Sequence, residues 1–533
     1  MTAAPPPAGV LFAATTPGPL PDWLRVAGIV VLASLAATAV LAVSPRLRAV
    51  TMLATLLLAP ALLLGEIWSS PQVEALRARP ALGAGAGAVG LAALAGLAVA
   101  FARRPQWFAI AAVAALPFRV PIEAAGATAN LLVPLYVVIG AGALAWLVPR
   151  LRATAPDEEP GRRSRRLEWL LIGSIVLYAL QSAYSEAPSR ALAQVVFFYA
   201  PFALLFARLR CLDWTPRLLA QCFGVLVALA LVFAAIGFVE YQTRHLLLNP
   251  KVIASNQIEE YFRVNSLFFD PNIYGRFLVV VMLGVTSVLL WTRSSRLVLG
   301  ATLVLVVLAG GLLLTLSQSS FAALLVGLAV LALLRWRVRW TFLTVGLAVG
   351  VAAVLLLAAP GLVGLDVSDR ESLDDASSGR LELIDGGLRL AVLHPVLGTG
   401  SGSFEAEYRR LENGSSARAT AASHTIPVTV AAEQGLAGVL VYFGLLLAAL
   451  VRLLRGARRS PARAAVAAAF AALAAHTWMY AAYLEDPMTW ALLGVGAALA
   501  AATGSRVAPI GEADPDVGAV PAGARAAAGT SGG

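Results

Sequence analysis

The chain has 533 residues, of which 59% are hydrophobic and only 13% are charged, and its net charge is +10. A soluble domain carries about 25% charged residues, so a soluble globular enzyme and a disordered chain are both excluded. The 40 basic residues are spread over many short loops, which excludes a concentrated nucleic-acid-binding surface. The apolar segments are continuous, unlike the alternating strands of an outer-membrane barrel. This composition indicates a helical protein that spans a membrane many times.

The apolar segments have the length of membrane helices, each of which needs about 20 mostly apolar residues. A further segment, 106–117, is too short to cross, and we expect it to be half of a broken helix that 118–129 completes. The predicted fold is an all-α polytopic membrane protein with about 12–15 transmembrane helices. The predicted spans are 26–43, 49–68, 81–102, 130–148, 167–184, 190–208, 217–240, 272–292, 297–315, 318–334, 339–360, 427–451, 464–483 and 486–503.

The arginines predict the orientation of these spans, because cytoplasmic loops carry an excess of basic residues. Alternate loops, together with the C-terminal tail, hold 25 of the 40 basic residues but only 8 of the 30 acidic ones. This set is predicted to face the cytoplasm. The protein is therefore expected in the inner (cytoplasmic) membrane, with its longest loops on the extracytoplasmic side.

The predicted organisation is a membrane bundle with two notable outer loops. An extracytoplasmic tail covers 1–25, and a bundle covering 26–360 contains a short outer loop at 241–271. A long extracytoplasmic loop, 361–426, precedes the C-terminal membrane helices at 427–503, and 504–533 is predicted to be a disordered cytoplasmic tail. Within the long loop, Leu381, Ile384, Leu388 and Val392 recur at helical spacing, which predicts a helix lying on the membrane surface or capping the bundle. Long loops on a membrane scaffold are where function is usually carried.

Five short motifs in these loops combine residues suited to chemistry. They are RVNSLFFDPN at 263–272, SGR at 378–380, LHPVLGTGSGSF at 393–404, SHTIP at 423–427 and AEQGLAG at 432–438. The glycine run at 398–402 lacks the Lys and Ser/Thr of a P-loop and follows no strand, so we interpret it as a flexible turn.

The ordered set of motifs resembles the O-antigen ligase and O-antigen polymerase superfamily. That family has an Arg before a Pro-Asn that opens a helix, then a long loop with an Arg-led helix, a Pro-x-x-Gly-x-Gly turn, and a His before a helix carrying Ala-Glu-x-Gly. The detailed match covers about 261–440, whereas the N-terminal half matches in hydropathy alone. The family's common His-Asn pair is His424-Thr425 here. This departure bears on which acceptor the protein would use.

The resemblance implies a fold like the C-type membrane glycosyltransferases and a metal-independent transfer without a cofactor. The donor would be an undecaprenyl-diphosphate-linked glycan. The acceptor would be a hydroxyl of a glycan, a glycolipid or a cell-wall polymer on the extracytoplasmic face. Arginines suit a diphosphate leaving group because they form bidentate charge-assisted hydrogen bonds. A His with a pKa near 6.5 can accept the proton of the acceptor hydroxyl.

The resemblance assigns roles residue by residue, and each role has a structural alternative. His424 would be catalytic, or would cap or pack a helix. Arg263 and Arg380 would bind the diphosphate. Alternatively, Arg263 would anchor the chain at the membrane interface or pair with a nearby acid, and Arg380 would pair with acids of the long loop. Arg389 would assist the two arginines, or would belong to a solvated face.

Five further side chains have supporting or structural interpretations. Asn272 is a candidate helix cap. Glu433 is expected to accept structural hydrogen bonds, because an unpaired carboxylate in a membrane helix is costly. His476 is predicted to be a helix–helix contact, and the acidic pair Glu485-Asp486 a solvated loop.

Three classes of function remain open from the sequence. The leading prediction is a glycosyltransferase of the O-antigen ligase type, and a polysaccharide polymerase of the same superfamily differs only in its acceptor. A solute transporter is the alternative from another class, and a structural partner of envelope enzymes is the third. The scarcity of ionisable residues deep in the spans argues against the transporter.

Overall fold

The computed structural model describes residues 20–124, 127–152, 165–247, 262–336, 380–412, 423 and 425–505. These segments are almost entirely helical. The helices are α1 (Asp22–Leu41), α2 (Pro45–Glu66), α3 (Pro71–Ala78), α4 (Pro80–Arg103), α5 (Pro105–Ala115), α6 (Val133–Leu151), α7 (Arg166–Gln181), α8 (Pro188–Gln194), α9 (Ala200–Leu209), α10 (Pro216–Thr243), α11 (Pro271–Trp291), α12 (Ser295–Thr315), α13 (Gln318–Arg335), α14 (Arg380–Leu393), α15 (Phe404–Leu411), α16 (Ile426–Leu454), α17 (Pro461–Thr477) and α18 (Pro487–Ser505).

Eleven helices in the described part of the chain are long and apolar enough to cross a membrane. They coincide with eleven of the predicted spans, so the prediction of an all-α polytopic membrane protein is confirmed. α17 and α18 occupy the predicted spans 464–483 and 486–503. The predicted span 339–360 lies outside the described residues.

The segment after α5 departs from the predicted helical pattern. α5 ends at Ala115, and the chain then forms a two-stranded antiparallel hairpin of β1 (Val120–Ala124) and β2 (Ala127–Leu131), with Val120 opposite Leu131. The prediction that 118–129 completes a broken helix was therefore wrong. Pro117 and Pro121 explain the difference, because proline lacks the N–H of a helix interior and disfavours helical geometry in the residue before it.

The centre of the bundle is built on close helix contacts. The α8–α9 segment is the most enclosed of the candidate spans, and α11 is the next. α17 packs against α11 and α13, with buried alanines along its length at Ala464, Ala467, Ala468 and Ala472. Small side chains allow backbones to approach within a membrane, where van der Waals packing and hydrogen bonds drive association. The ends of α11, α13 and α17 consequently lie close together.

The helix predicted in the long loop is present as α14, but it packs through a different face. Its buried side is Leu383, Leu390 and two glycines, against which the rings of Phe404 and Tyr408 lie. Three apolar side chains of the predicted stripe, Leu381, Leu388 and Val392, are exposed instead. An exposed apolar stripe on a helix that caps a membrane bundle is typical of contact with the bilayer surface.

Candidate functional site

The N-terminus of α11 brings together two of the residues singled out from the sequence. Pro271 occupies the first turn, and Asp270 caps the helix by accepting a hydrogen bond from the Asn272 N–H (2.6 Å). The Asn272 side chain is therefore not the cap, and its Oδ1 accepts from Arg263 Nη2 (3.4 Å). Arg263 Nε donates to the Thr315 carbonyl (3.0 Å). Arg263 is thus held beside a helix N-terminus, where the helix dipole favours an anion.

A buried chain of hydroxyl groups continues from Asn272 into the bundle. Ser317 Oγ donates to Asn272 Oδ1 (2.7 Å) and lies 3.2 Å from Ser319 Oγ. Ser319 Oγ lies 3.1 Å from Nε2 of His476, which is fully buried. The predicted helix–helix contact of His476 is confirmed, since it joins α17 to α13. This network fixes the position of Asn272, because each buried polar group would cost free energy if its partner were lost.

The segment that carries Arg263 is anchored by a buried carboxylate at the end of α10. The Ser266 N–H donates to Glu240 Oε2 (2.7 Å), and the Val264 N–H donates to the Leu314 carbonyl (3.1 Å). Ser266 has a φ of 51°, a left-handed conformation that costs a non-glycine residue free energy. These contacts make the loop around Arg263 a defined structure.

A buried ion pair lies about one and a half turns into α11. Arg276 Nη2 is 2.7 Å from Asp486 Oδ2, and both side chains are at most 3% exposed. Arg276 Nη1 also donates to the Ala482 carbonyl (3.2 Å). The prediction that Glu485-Asp486 is a solvated pair was therefore wrong for Asp486, which bonds across the bundle to a cation in a membrane helix.

The loop between α17 and α18 has perturbed acid–base properties. Burial raises the pKa of Glu485 above its usual range, and the neighbouring charge of Asp486 adds to the effect. Gln194 donates a hydrogen bond to Glu485. Burial also raises the pKa of Tyr480, whose neighbours include Asp270 and Arg276. Clusters of buried titratable groups with shifted pKa values are frequent at functional sites.

Glu433 holds the glycine-rich turn against α16. Its carboxylate accepts hydrogen bonds from the Gly402 N–H and the Phe404 N–H, both at 3.0 Å. Gly398, Gly400 and Gly402 all have positive φ angles. The prediction of a flexible turn at 398–402 was wrong, because the run is docked by its backbone, whereas the predicted structural hydrogen bonds of Glu433 are present.

α16 is broken where the turn docks. Gly435 has φ 60° and ψ −157°, which interrupts the helix. The freed groups are paired by the turn: the Thr399 N–H donates to the Ala432 carbonyl, and the Leu436 N–H donates to the Pro395 carbonyl, both at 2.9 Å. Irregular backbone at membrane depth is tolerated when such partners are available.

We expect Gly435→Ala to lower the free energy of unfolding by about 2–4 kcal/mol. A Cβ at Gly435 would lie 2.5 Å from the Val396 carbonyl oxygen and would require a disfavoured backbone conformation. Gly444→Ala in the same helix is the matched control, because its Cβ would make only an ordinary 3.5 Å contact with Leu170. Chemical unfolding of both variants in detergent tests this, and equal stability would contradict a docked turn.

The remaining predicted site residues lie in or beside the long loop. α14 begins at Arg380, as predicted for an Arg-led helix. Arg389 is 61% exposed and forms an ion pair with Asp385 (2.6 Å). His424 lies outside the described residues, but the fully buried Ser423 beside it is fixed by Thr429, whose Oγ1 accepts from the Ser423 N–H (3.1 Å). Arg380, Arg389 and His424 therefore keep their roles as predictions.

The described segments contain no group of three or more His, Cys, Asp or Glu side chains placed to share a metal ion. The polar groups described above form hydrogen bonds and ion pairs with one another instead. At the N-terminus of α11 they place the Arg263 guanidinium beside the dipole of the helix. This arrangement suits the binding of an anion.

Comparison with known proteins tests the resemblance drawn from the motifs. Residues 303–443 match the family model of O-antigen ligase. The match confirms the predicted superfamily and supports a membrane glycosyltransferase of the O-antigen ligase or polymerase type. The O-antigen ligase match includes Arg380, Arg389, His424 and Glu433 and begins after Arg263 and Asn272. A search of curated proteins found no significant match.

The sequence motifs did not indicate that Arg119, Arg276 and Asp486 are neighbours. One signal was available for Arg276, since a charged residue inside a predicted membrane span indicates a functional or paired site. Arg119 and Asp486 lie in loops, where a charge is unremarkable. Their proximity to Arg276 depends on how α5, α11 and α18 pack.

Proposed function

We propose that this protein is an inner-membrane glycosyltransferase that acts at the extracytoplasmic face. It transfers a glycan from an undecaprenyl-diphosphate carrier to an acceptor hydroxyl. The observation that carries the proposal is Arg263, fixed through Thr315 and Asn272 at the N-terminus of α11. This end of the bundle is the one that the arginine distribution predicts to be extracytoplasmic. The O-antigen ligase match supports the reaction class.

The reaction requires a site that binds the diphosphate anion more than it requires a general acid. The bond between the anomeric carbon and the diphosphate oxygen breaks, and the diphosphate leaves with the electron pair. Negative charge therefore grows on the head group, where a preorganised guanidinium stabilises the transition state more than the ground state. Because a diphosphate is already a good leaving group, no general acid is needed. Arg263 has the fork geometry that binds phosphate oxygens in pairs.

In this mechanism His424 activates the acceptor hydroxyl. Its imidazole takes the proton of the acceptor hydroxyl while the oxygen bonds to the anomeric carbon, on the face opposite the leaving group. The proposal rests here on the family motif and on the fixed backbone of the neighbouring Ser423. Arg380, at the start of α14, would bind the diphosphate from the side of the long loop. Glu433 supports this region by holding the glycine-rich turn.

A transfer assay on purified protein in lipid nanodiscs tests the proposal. The donor is an undecaprenyl-diphosphate glycan, the acceptor is a candidate glycan or glycolipid, and each reaction is run with and without EDTA. We expect consumption of the donor and a glycan product of higher mass, with loss of turnover in His424→Ala and Arg380→Ala. Arg410→Gln is the control, since Arg410 is 64% exposed and pairs with Glu186 and Glu407.

The outcomes separate the alternatives. A ladder of product sizes indicates a polymerase, whereas a single addition indicates a ligase. Turnover that EDTA abolishes would contradict the metal-independent mechanism. No turnover by folded wild-type protein would contradict the proposal and favour the transporter or a structural partner.

A further inference from the structure

A group of arginines gathers at the end of the bundle opposite Arg263. α10 has 28 residues and is about 42 Å long. Near its C-terminal end Glu240 anchors the loop that carries Arg263, and its N-terminal end follows α9 after a short loop. The distribution of arginines predicts this second end to be cytoplasmic. Arg208, in the last turn of α9, therefore lies about a membrane thickness from the proposed diphosphate site.

Three arginines at this end have a structural role at the C-terminus of α1. The last carbonyl groups of a helix have no partner within it, and the helix dipole favours a cation there. These arginines donate hydrogen bonds to such carbonyls, so no further ligand is needed to explain them. The bonds join Arg210 to Val40 (2.6 Å), Arg165 to Leu41 (2.6 Å) and Arg48 to Ala42 (2.9 Å).

Arg208 differs from these arginines because no anion accompanies it. It is 8% exposed, and its guanidinium lies over the rings of Trp146 and Phe108, at 5.5 and 5.9 Å from their centroids. Throughout the described segments no carboxylate and no hydrogen-bond acceptor contacts Arg208, and its Nε is enclosed without a partner. The rings offset part of the cost of burying a charge, but they do not replace a counter-charge.

Arg150 adds a second cation to the surroundings of Arg208. Its guanidinium lies 4.2 Å from the centroid of the Trp146 ring, the same ring that Arg208 contacts. The Arg150 Nη1 donates to the Trp146 carbonyl (3.1 Å), which keeps the side chain beside the ring. Two guanidinium groups therefore share one indole between the ends of α6 and α9.

The carboxylates described at this end do not balance these charges. On the side predicted to be cytoplasmic, the acidic residues that the structure describes are Glu168 and Asp213. Glu168 lies 3.6 Å from Arg210, whereas Asp213 is exposed and forms no ion pair with a described residue. Arg208 is therefore surrounded by an excess of positive charge, which favours an anion from outside the chain.

Tryptophans mark the depth of Arg208 in the membrane. Trp214 follows α9, and its Nε1 donates to the Leu209 carbonyl (2.9 Å). Trp169, in the first turn of α7, is 61% exposed. With Trp146 they place three indoles at this end of the bundle, and tryptophan is enriched at the membrane–water interface, at the level of the lipid head groups. The last turn of α9 consequently lies at the depth of lipid phosphates.

We propose that Arg208 binds the phosphate of an anionic phospholipid from the leaflet at this end of the bundle. The phosphate provides the missing counter-charge by accepting paired hydrogen bonds from the guanidinium, and Arg150 adds to the attraction. Basic sites between membrane helices on the cytoplasmic side are typical positions for anionic lipid head groups. The lipid joins α5, α6 and α9, which contribute Phe108, Trp146 and Arg208. The inference goes beyond the proposed function, since it concerns the opposite face of the membrane.

Thermal unfolding of the purified protein in detergent with added lipid tests the proposal. Phosphatidylglycerol, phosphatidylcholine and inorganic phosphate are titrated separately against the wild type, Arg208→Gln and Arg208→Lys. We expect phosphatidylglycerol to raise the melting temperature of the wild type by several degrees, and zwitterionic phosphatidylcholine to raise it less. Arg208→Gln should lose this difference, with an apparent Kd for phosphatidylglycerol at least about tenfold weaker. Arg208→Lys keeps the charge without the paired donors and should lie between them.

Arg335→Gln is the matched control. Arg335 also lies beside a tryptophan at the end predicted to be cytoplasmic, with its guanidinium 5.9 Å from the centroid of Trp291. It is exposed, and its Nε donates to the Leu290 carbonyl (2.9 Å), so its removal should leave the response to phosphatidylglycerol unchanged. Without anionic lipid, Arg208→Gln should unfold at or above the wild-type temperature, because the substitution removes a buried charge that has no counter-charge.

Several results would overturn the inference. If phosphatidylglycerol and phosphatidylcholine stabilise the wild type equally, the protein has no site selective for an anionic head group. If Arg208→Gln keeps the full response, or Arg335→Gln loses as much of it, Arg208 is not the ligand. If inorganic phosphate raises the melting temperature equally at the same phosphate concentration, the site binds a free anion and not a lipid. If Arg208→Gln unfolds several degrees below the wild type without anionic lipid, the role of Arg208 is structural.

Discussion

Arg263→Gln should lower the rate of glycan transfer by at least about 100-fold at saturating acceptor. Two charge-assisted hydrogen bonds to a phosphate contribute about 3–6 kcal/mol together, and their contribution grows as charge develops on the leaving group. The amide nitrogen of glutamine has the chain position of the arginine Nε that donates to the Thr315 carbonyl, and Asn272 keeps its bond from Ser317, so the local fold is expected to persist. The measurement is the single-turnover rate of donor consumption by purified protein in nanodiscs.

Two comparisons show whether the loss reflects phosphate binding. Arg263→Lys keeps the charge but not the paired donors, so its rate should fall between those of the wild type and Arg263→Gln. Arg410→Gln removes an exposed arginine paired with Glu186 and Glu407 and should transfer at the wild-type rate. A rate for Arg263→Gln within a few-fold of the wild type would contradict the assignment of Arg263 to the head group.

Asp486→Leu should lower the free energy of unfolding by about 3–5 kcal/mol, because removal of one partner leaves a buried charge uncompensated. The remaining charge is Arg276, which is 1% exposed and has Arg119 as a neighbour of like sign. Arg276→Met should have a similar effect through the unpaired carboxylate. The double variant Arg276→Met/Asp486→Leu should recover most of the loss, since an apolar pair of similar volume needs no counter-charge.

Unfolding of the four proteins in mixed detergent micelles measures this cycle. The coupling free energy between the two positions is expected to be large and favourable, as for residues in direct contact. Additive effects of the single substitutions would contradict a buried ion pair between α11 and the start of α18. Loss of transfer in the double variant, with stability restored, would show that the pair also orients the neighbouring site.

The membrane topology was largely predictable because each span is a local property of the sequence. Thirteen of the 14 predicted spans correspond to helices, and the remaining one, 339–360, lies outside the described residues. The hairpin at 120–131 was not predicted, although Pro117 and Pro121 were visible there. Hydropathy reports how apolar a segment is and does not report whether its backbone remains helical.

The candidate site was predictable only in part, because its partners come from distant parts of the chain. The motif carrying Arg263 and Asn272 is continuous, and the structure brings both residues together. The pairing of Arg276 with Asp486 joins two helices far apart in sequence. Local patterns contain no information about such a contact. For that reason Asp486 was predicted to be solvated.

The glycine-rich turn shows a second limit of local patterns. Glycines at 398, 400 and 402 are equally compatible with a mobile segment and with a tightly docked one. The deciding feature is Glu433 together with the break at Gly435, which supplies backbone partners for the turn. The same applies to α14, where the glycines at 386 and 387 form the packed face because aromatic rings fill the space beside them.

The most direct test of the account is the position of the lipid head group in an electron cryomicroscopy structure of the protein with undecaprenyl diphosphate in nanodiscs. The account predicts the diphosphate at the N-terminus of α11, with phosphate oxygens about 2.7–2.9 Å from the guanidinium nitrogens of Arg263. A head group bound elsewhere in the bundle, with Arg263 still bonded only to Thr315 and Asn272, would contradict it.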